Sequence, residues 1–369
     1  MKSISINGRF LAQPLTGVQR FARELTQALD TRISNGDVPE NLRGVAWRLI
    51  APDEAKADIA LKSIRLERVG SGHGHLWEQT TLAAKTWRDL LVGFGGSGPL
   101  LHPDQLTVIH DATIFRHPES FSRSYRLFHT LLGAVLTRTA RIATVSQFSR
   151  QELSSIFRVP GDGIAVIYNA TDHFAGLTPD DGILERLKLS GGDFFLLVGT
   201  LKPNKNIDFA IRAFEALNAP GQKLVVVGGI HANVFKGGDY SSRDNLIFPG
   251  RLSDAEVAAL ERHATAFIFP SLYEGFGIPP LEAMSQGCPV LASDIPPVRE
   301  ACGEGALYFD PTKSETLERQ MKAVLDDPGL RERLVAGGFV NAARFSWAKS
   351  ADALLQVLAQ MHSHPDRAA

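Results

Sequence analysis

Cysteine is nearly missing from this chain, whose 369 residues hold only Cys288 and Cys302. Two thiols in a chain of this length exclude a disulfide framework and point to a reducing compartment. Neither stands at a metal-ligand spacing. An excess of one charge is also missing, with 39 Lys and Arg against 40 Asp and Glu. That balance removes the electrostatic footprint of a nucleic-acid binder. Long apolar runs are absent too. No stretch approaches the ~18–20 residues needed to span a bilayer. The most apolar helical stretch, FHTLLGAVLTRTARIA (128–143), is interrupted by arginines. The opening MKSISINGRF lacks the apolar core of a signal peptide. The expectation is a cytoplasmic protein, with a peripheral contact at the inner face of a membrane left open.

What is present is ordinary for a soluble globular chain, 44% apolar, and long enough for two domains. Residues 1–180 hold 20 basic and 17 acidic side chains, a balance of +3, and residues 181–369 hold 19 and 23, a balance of −4. The asymmetry reads either as chance or as a first half that meets an anionic surface.

The second half is the more legible. FFLLVG (194–199), KLVVVGG (223–229), NLIFPG (245–250), AFIFPS (266–271), PVLAS (289–293) and ALYFDP (306–311) are short apolar runs, each closed by Gly, Pro or Ser. Helical periodicity follows several of them, clearest at Ile207, Ala210, Ile211, Phe214 and Leu217. Near-continuous apolar strands alternating with helices predict a parallel sheet covered on both faces. In such sheets ligands bind beyond the carboxyl ends of the strands. The first half repeats the theme less regularly. SISING (3–8), TVIH (107–110), IATVS (142–146) and GIAVIYN, ending at Asn169, are strand candidates. Val18, Phe21, Ala22, Leu25 and Leu29 mark an amphipathic helix. VGFGGSGPLL (92–101) reads as a loop, and the polar TDHFAGLTPDDG (171–182) as a linker. A last helix from about Trp347 to Met361 is free to pack on either domain.

Four stretches carry chemistry. In LTGVQRF (15–21), Gly17 opens a helix start suited to a phosphate, or the stretch is a plain strand-to-helix turn. In VIHDATIF (108–115), His110 and Asp111 end a strand, where the histidine serves either a sugar hydroxyl or the structure. In VGTLKPNKNID (198–208), Lys202 and Lys205 precede a helix. Cations there are unfavourable by roughly 0.3–1 kcal/mol, which makes sense if an anion binds between them; the alternative is a solvated lysine pair. In YEGFGIPPLEAM (273–284), the helix is expected to begin near Pro279 and Pro280 and to stop at Gly287 and Pro289. Glu282 then sits on its first turn and Glu274 in the loop before it. Gly275 and Gly277 free that loop's N–H groups to face an anion, and Glu282 is an acceptor suited to a diol. Favourable helix-dipole placement alone explains Glu282, but not the glycine-flanked Glu274.

Taken together these stretches resemble the retaining family 4 glycosyltransferases. EGFGIPPLEAM is similar to their E-x7-E motif, VGTLKPNKN to their phosphate loop, and TGVQRF, VIHD, TVSQFSRQEL, FPGRLSDAEV and SDIPPVREACGEGALYFDP to further signatures. The resemblance implies an α/β fold of the GT-B kind, two Rossmann-like doubly wound domains facing across a cleft. The implied division is an acceptor-binding domain at 1–175, a nucleotide-sugar-binding domain at 176–346, and a C-terminal helix at 347–369 packing back on the first. It implies catalytic roles for His110, Glu274 and Lys205. Donor contacts are implied at Gly17, Thr200, Lys202, Lys205, Arg251, Glu274, Gly275, Phe276, Gly277, Ile278 and Glu282, Lys205 holding the diphosphate, Glu282 the ribose and Glu274 the sugar. No metal and no cofactor are implied, a nucleotide-sugar being the co-substrate. Departures occur at Asn204, Lys202, Arg251 and Gln19. Together with WEQ (77–79), the pattern is most similar to bacterial enzymes moving mannose from GDP-mannose to a glycan or lipid-linked acceptor in surface-polysaccharide assembly. Rhamnose, fucose or glucose transfer, a nucleotide-sugar epimerase and a catalytically idle nucleotide-sugar-binding protein are the alternatives.

Overall fold

The computed structural model describes residues 3–363 apart from 57, 73, 119–120, 201 and 230–243. Two compact units divide the chain, Met1–Asn169 with Ser346–Ala369, and Ala170–Phe345.

The first unit is built on a seven-stranded sheet: β1 (Ile4–Asn7), β2 (Trp47–Ala51), β3 (Arg65–Arg68), β4 (Leu90–Gly93), β5 (Gln105–Val108), β6 (Arg141–Thr144) and β7 (Ile164–Val166). All pairs are parallel, in the order β3-β2-β1-β4-β5-β6-β7. Wholly buried strands such as β1 and β4 need cover on both faces. β3 is one of the two edges, and its charged RLER sequence suits an edge strand that must not template another. β4 takes in Val92 and Gly93, so the glycine-rich patch expected to be loop begins as strand. The following glycines had masked the apolar Leu90–Val92.

Helix α1 (Gly17–Asn35) buries Phe21, Ala22, Leu25 and Leu29, and ends on Gly36 at φ 78. α2 (Arg123–Thr139) and α3 (Gln147–Phe157) follow, α3 capped by the Ser146 side chain accepting from Ser149 N–H. The C-terminal helix Trp347–Ser363 belongs to this unit. Arg32 reaches Asp352 at 2.6 Å, Asn41 donates to the Ala359 carbonyl at 2.8 Å, and Trp347 lies edge-on to Phe21.

The second unit carries six parallel strands: β8 (Phe194–Val198), β9 (Lys223–Val227), β10 (Leu246–Gly250), β11 (Ala266–Phe269), β12 (Val290–Ser293) and β13 (Ala306–Phe309), in the order β10-β9-β8-β11-β12-β13. Each coincides with one of the six apolar runs. α4 (Ile207–Leu217) buries Ile207, Ala210, Ile211 and Phe214 against Phe195, Leu197 and Val226. α5 (Asp254–His263) starts with a full capping box between Ser253 and Glu256. α6 (Ile278–Ser285) follows β11. Residues 171–182, expected as a linker, hold the short helix Asp172–Ala175. Its Phe174 is buried, and the Phe174 carbonyl accepts from Gln286 Nε2 at 2.9 Å. A polar composition therefore conceals a packed segment.

Both sheets start in the middle, wind outward, then cross to the other side. The switch lies between β1 and β4 in the first unit and between β8 and β11 in the second. Open parallel sheets bind ligands beyond the carboxyl ends of the strands at such points.

Candidate functional site

At the β8/β11 switch, two loops leave neighbouring strands. The first runs from Gly199 through the short turn Pro203–Lys205 to Asn206, which takes the left-handed conformation (φ 55) and caps α4. The second runs from Pro270 to Gly277. They are fastened together through Asn204. Its carbonyl accepts from Leu272 N–H at 2.8 Å, and its Nδ2 donates to the Tyr273 carbonyl at 3.4 Å. The residue that departs from the family pattern is thus buried and structural. With the loops so tied, Lys205 and Glu274 meet: Lys205 Nζ donates to Glu274 Oε1 at 2.5 Å. The two side chains are 22% and 14% exposed, so the pair is half-screened and still open to a ligand. The ammonium also lies 5.7 Å from the Phe269 ring centre, a contact worth about 0.5–1 kcal/mol.

The second loop ends in Gly277 at φ 118, which becomes the N-cap of α6. Only glycine adopts that conformation at little cost. Pro279 and Pro280 follow within the first turn and carry no N–H. Of the four donors a helix start normally presents, this one keeps Gly277 and Ile278, both in the expected donor-binding set. α6 begins at Ile278, so Glu282 is its fifth residue, slightly deeper than the expected first turn. Phe276 is buried edge-on against Phe345, which leaves its backbone as the part able to meet a ligand. Gly275 is buried in the same loop.

Glu282 has a partner of its own. His173 Nε2 lies 3.5 Å from Glu282 Oε1, with side chains 9% and 13% exposed. Behind it, on α5, Glu261 is buried and neither carboxylate oxygen has a hydrogen-bond partner. Burial above all, with the charges of Glu282 and Asp254, pushes the Glu261 carboxyl well above its ordinary range. Neither His173 nor Glu261 was anticipated, because neither stands in a glycine-rich loop.

Of the remaining expected donor contacts, Thr200 is half-buried and its carbonyl accepts from Lys202 N–H at 2.7 Å, while Lys202 is exposed. Arg251 follows the β10 end and lies over Gly229, where an added Cβ would stand 3.3 Å from its Nε. At Gly228 (φ +153) a Cβ would fall 1.8 Å from the Gly199 carbonyl oxygen. The ends of β8 and β9 approach that closely only because the residue is glycine.

Gly17 and His110 lie in the first unit. Gly17 opens α1 after Thr16, whose hydroxyl turns to the Gln19 side chain instead of capping the helix. His110 follows β5. Its Nε2 donates to the Phe94 carbonyl at 2.8 Å, and its ring lies edge-on to Phe21 at 4.8 Å. Burial holds its pKa below the ordinary histidine range. The ring is therefore neutral, with Nδ1 its acceptor nitrogen. The Nε2 hydrogen is thus committed to the Phe94 carbonyl.

At the β1/β4 switch stands a group the motifs only hinted at through WEQ. Glu78, 1% exposed, accepts from Asn7 Nδ2 at 2.7 Å and Ser97 Oγ at 3.0 Å. It also pairs with Arg9 Nε at 3.2 Å and His75 Nδ1 at 3.0 Å. A buried carboxylate tolerated there needs that many partners.

Two doubly wound parallel sheets define an open α/β protein of the Rossmann-like kind. Residues 185–341 match the family described as glycosyl transferases group 1, and the second unit belongs to that family. The chain is 31% identical over 253 residues to O-antigen chain mannosyltransferase B of Escherichia coli, covering 66% of each. It is 28% identical over 371 residues to the serotype-specific mannosyltransferase WbdA of Escherichia coli, covering 95% of this chain and 44% of that one. The chain thus spans less than two thirds of the length of these curated relatives. Among solved structures, HepE of Anabaena in complex with UDP-glucose superposes with a TM-score of 0.69 at 18% identity, over 98% of this chain and 100% of that one. The expected fold class, two Rossmann-like domains of the GT-B kind, is borne out.

Proposed function

We propose that the protein is a retaining, metal-independent hexosyltransferase that moves mannose from GDP-mannose to a glycan or lipid-linked acceptor in surface-polysaccharide assembly. The observation that carries this reading is the Lys205–Glu274 pair at the β8/β11 switch, beside the Gly277 and Ile278 N–H groups. A nucleotide-sugar's diphosphate must leave as an anion, and a lysine with backbone donors can stabilise that charge without a cation cofactor. Glu282, held by His173, accepts from the two ribose hydroxyls. Glu274 faces the sugar, and the departing phosphate assists attack on the same face. Neutral His110 offers Nδ1 to a hydroxyl. The second unit holds the donor; the first, with the Arg9–Glu78–His75 group, takes the acceptor, and the protein works at the cytoplasmic face of a membrane. The mannosyltransferase names of the relatives support the choice of sugar.

The test is release of nucleoside diphosphate from a panel of GDP- and UDP-sugars, dTDP-rhamnose included, with lipid extract as acceptor. GDP-mannose is expected to turn over fastest. Faster turnover of another donor would replace mannose, and no turnover with any donor would sink the transferase reading.

A further inference from the structure

Five rings of the first unit form a continuous row. Ser122 caps α2 by accepting from Tyr125 N–H, and Phe121, Tyr125 and His129 stand at four-residue steps through that start, the spacing of neighbours on one helix face. Phe121 stacks on Tyr125 with ring centres 5.5 Å apart, and Tyr125 lies 4.2 Å from His129 at a tilt of 43°. His129 reaches the His75 ring at 5.6 Å, and His75 meets Phe128 at 4.9 Å with a tilt of 53°. His75 in turn pairs with Glu78, so the row runs from α2 to the β1/β4 switch. Tyr125 and Phe128 remain 44% and 41% exposed, which makes the row a wall and not a core.

Polar groups edge the wall. His129 Nε2 is buried with no hydrogen-bond partner among the described residues. Burial first, then the neighbouring His75 and Arg9, lowers the pKa of that ring, and a neutral imidazole keeps one donor and one acceptor nitrogen. Burial above all raises the Tyr125 pKa, so the hydroxyl keeps its proton. The charges of Arg9 and Asp111 both reach Tyr125, and one Asp111 oxygen accepts from Thr113 N–H at 2.7 Å. Arg9 is already paired with Glu78, so Arg9, Glu78 and Asp111 together leave one negative charge beside the rings. That sign repels a phosphate or an anionic headgroup. Rings edged by hydroxyl, imidazole and carboxylate suit a ligand with an apolar C–H face and a rim of hydroxyls. C–H groups meet the negative faces of aromatic rings, and hydroxyls exchange hydrogen bonds with donors and acceptors alike. A neutral sugar ring has both, and rings tilted against one another follow its puckered surface better than they follow a flat base.

We propose that Phe121, Tyr125, Phe128 and His129 form a stacking subsite for neutral sugar units of an oligosaccharide, with Asp111 and His129 taking their hydroxyls. Three consecutive ring separations make the row longer than one sugar ring, so the chain engages its glycan through at least two units. The proposal rests on the reading that the first unit takes a glycan acceptor, and it narrows that acceptor to an extended, uncharged chain end; its test needs no transfer. Saturation-transfer NMR on the full chain, with no donor present, measures binding of mannotriose, maltotriose and chitotriose, each beside its monosaccharide, with guanosine and inorganic phosphate as competitors. At least one trisaccharide is expected to bind ~10-fold tighter than its monosaccharide, and neither competitor should displace it. Tyr125→Ala should weaken that binding ~10-fold, while Tyr125→Phe, which keeps the ring, should retain most of it. Tyr125 is partly exposed, so the melting temperature of Tyr125→Ala should stay near that of the parent; Phe128→Ala supplies the same reading if the first variant does not fold. No trisaccharide binding by the parent chain, binding that Tyr125→Ala and Phe128→Ala leave intact, or displacement by guanosine or phosphate would overturn the proposal. Transfer to a monosaccharide as fast as to a trisaccharide would count against this subsite alone, and trisaccharide binding with no turnover of any nucleotide-sugar against the transferase reading alone.

Discussion

Lys205 and Glu274 should respond to substitution in opposite directions when a nucleoside diphosphate binds. The ammonium sits 2.5 Å from one carboxylate oxygen, so an incoming phosphate must share it with Glu274. A hydrogen bond to a charged group contributes about 1.5–3 kcal/mol net. Lys205→Ala should therefore weaken GDP binding by roughly 10- to 100-fold, at 1.4 kcal/mol per decade. Glu274→Gln removes the competitor and a negative charge facing the diphosphate. The pair, still partly open to solvent, is worth about 1 kcal/mol, so GDP should bind about 5-fold tighter to that variant while sugar transfer falls steeply. Calorimetric titration with GDP, run beside transfer kinetics, separates the two effects. In the double variant the single effects should fail to add, because the residues touch. If Glu274→Gln weakened GDP binding as much as Lys205→Ala does, Glu274 would be a ligand of the nucleotide and its assignment to the sugar would be wrong.

Two further substitutions test the frame of the site. Glu261, a buried acid with its pKa raised, contributes stability that is complete below its unfolded value of 4.5 and is lost as pH rises. Glu261→Gln should leave the melting temperature unchanged near pH 4 and raise it at pH 8 by about 2–12 °C, for ~1–3 kcal/mol of desolvation at ~2–4 °C per kcal/mol; a pH-independent difference between the two melting curves would contradict the assignment. Gly228→Ala forces a Cβ toward the Gly199 carbonyl at 1.8 Å with φ at +153. It should lower the melting temperature and weaken GDP binding ~10-fold or more through backbone strain of about 1–3 kcal/mol, and unaltered titration and melting curves would refute the close approach of the two strands.

The second sheet was readable because each strand is a continuous apolar run ended by Gly, Pro or Ser, as burial on both faces requires. In the first sheet, β2 is interrupted by Arg48 and β3 is mostly charged, so edge and near-edge strands lost the pattern that central ones kept. The E-x7-E stretch showed a loop and a helix but could not show that Glu274 grips Lys205. Those residues stand 69 positions apart, and only the adjacency of β8 and β11 brings their loops together. The Arg9–Glu78–His75 group was hidden for the same reason, since it needs β1 and β4 to be neighbours. Glu261 was invisible because its position on α5 reads as one more polar residue of an amphipathic helix.

The C-terminal helix has a consequence for how the protein is made. The first unit is discontinuous: its last helix follows the whole of the second unit in the chain. On a ribosome adding roughly 5–20 residues per second, Phe21 waits about 15–70 s for Trp347 to be synthesised. Throughout that interval α1 lacks the cover that Trp347–Ser363 provides, while residues 170–345 can already fold behind it. A premature stop near residue 345 should thus spare the second unit and ruin the one at the opposite end of the gene, and a chaperone that attends nascent chains would find its target in the first thirty-five residues.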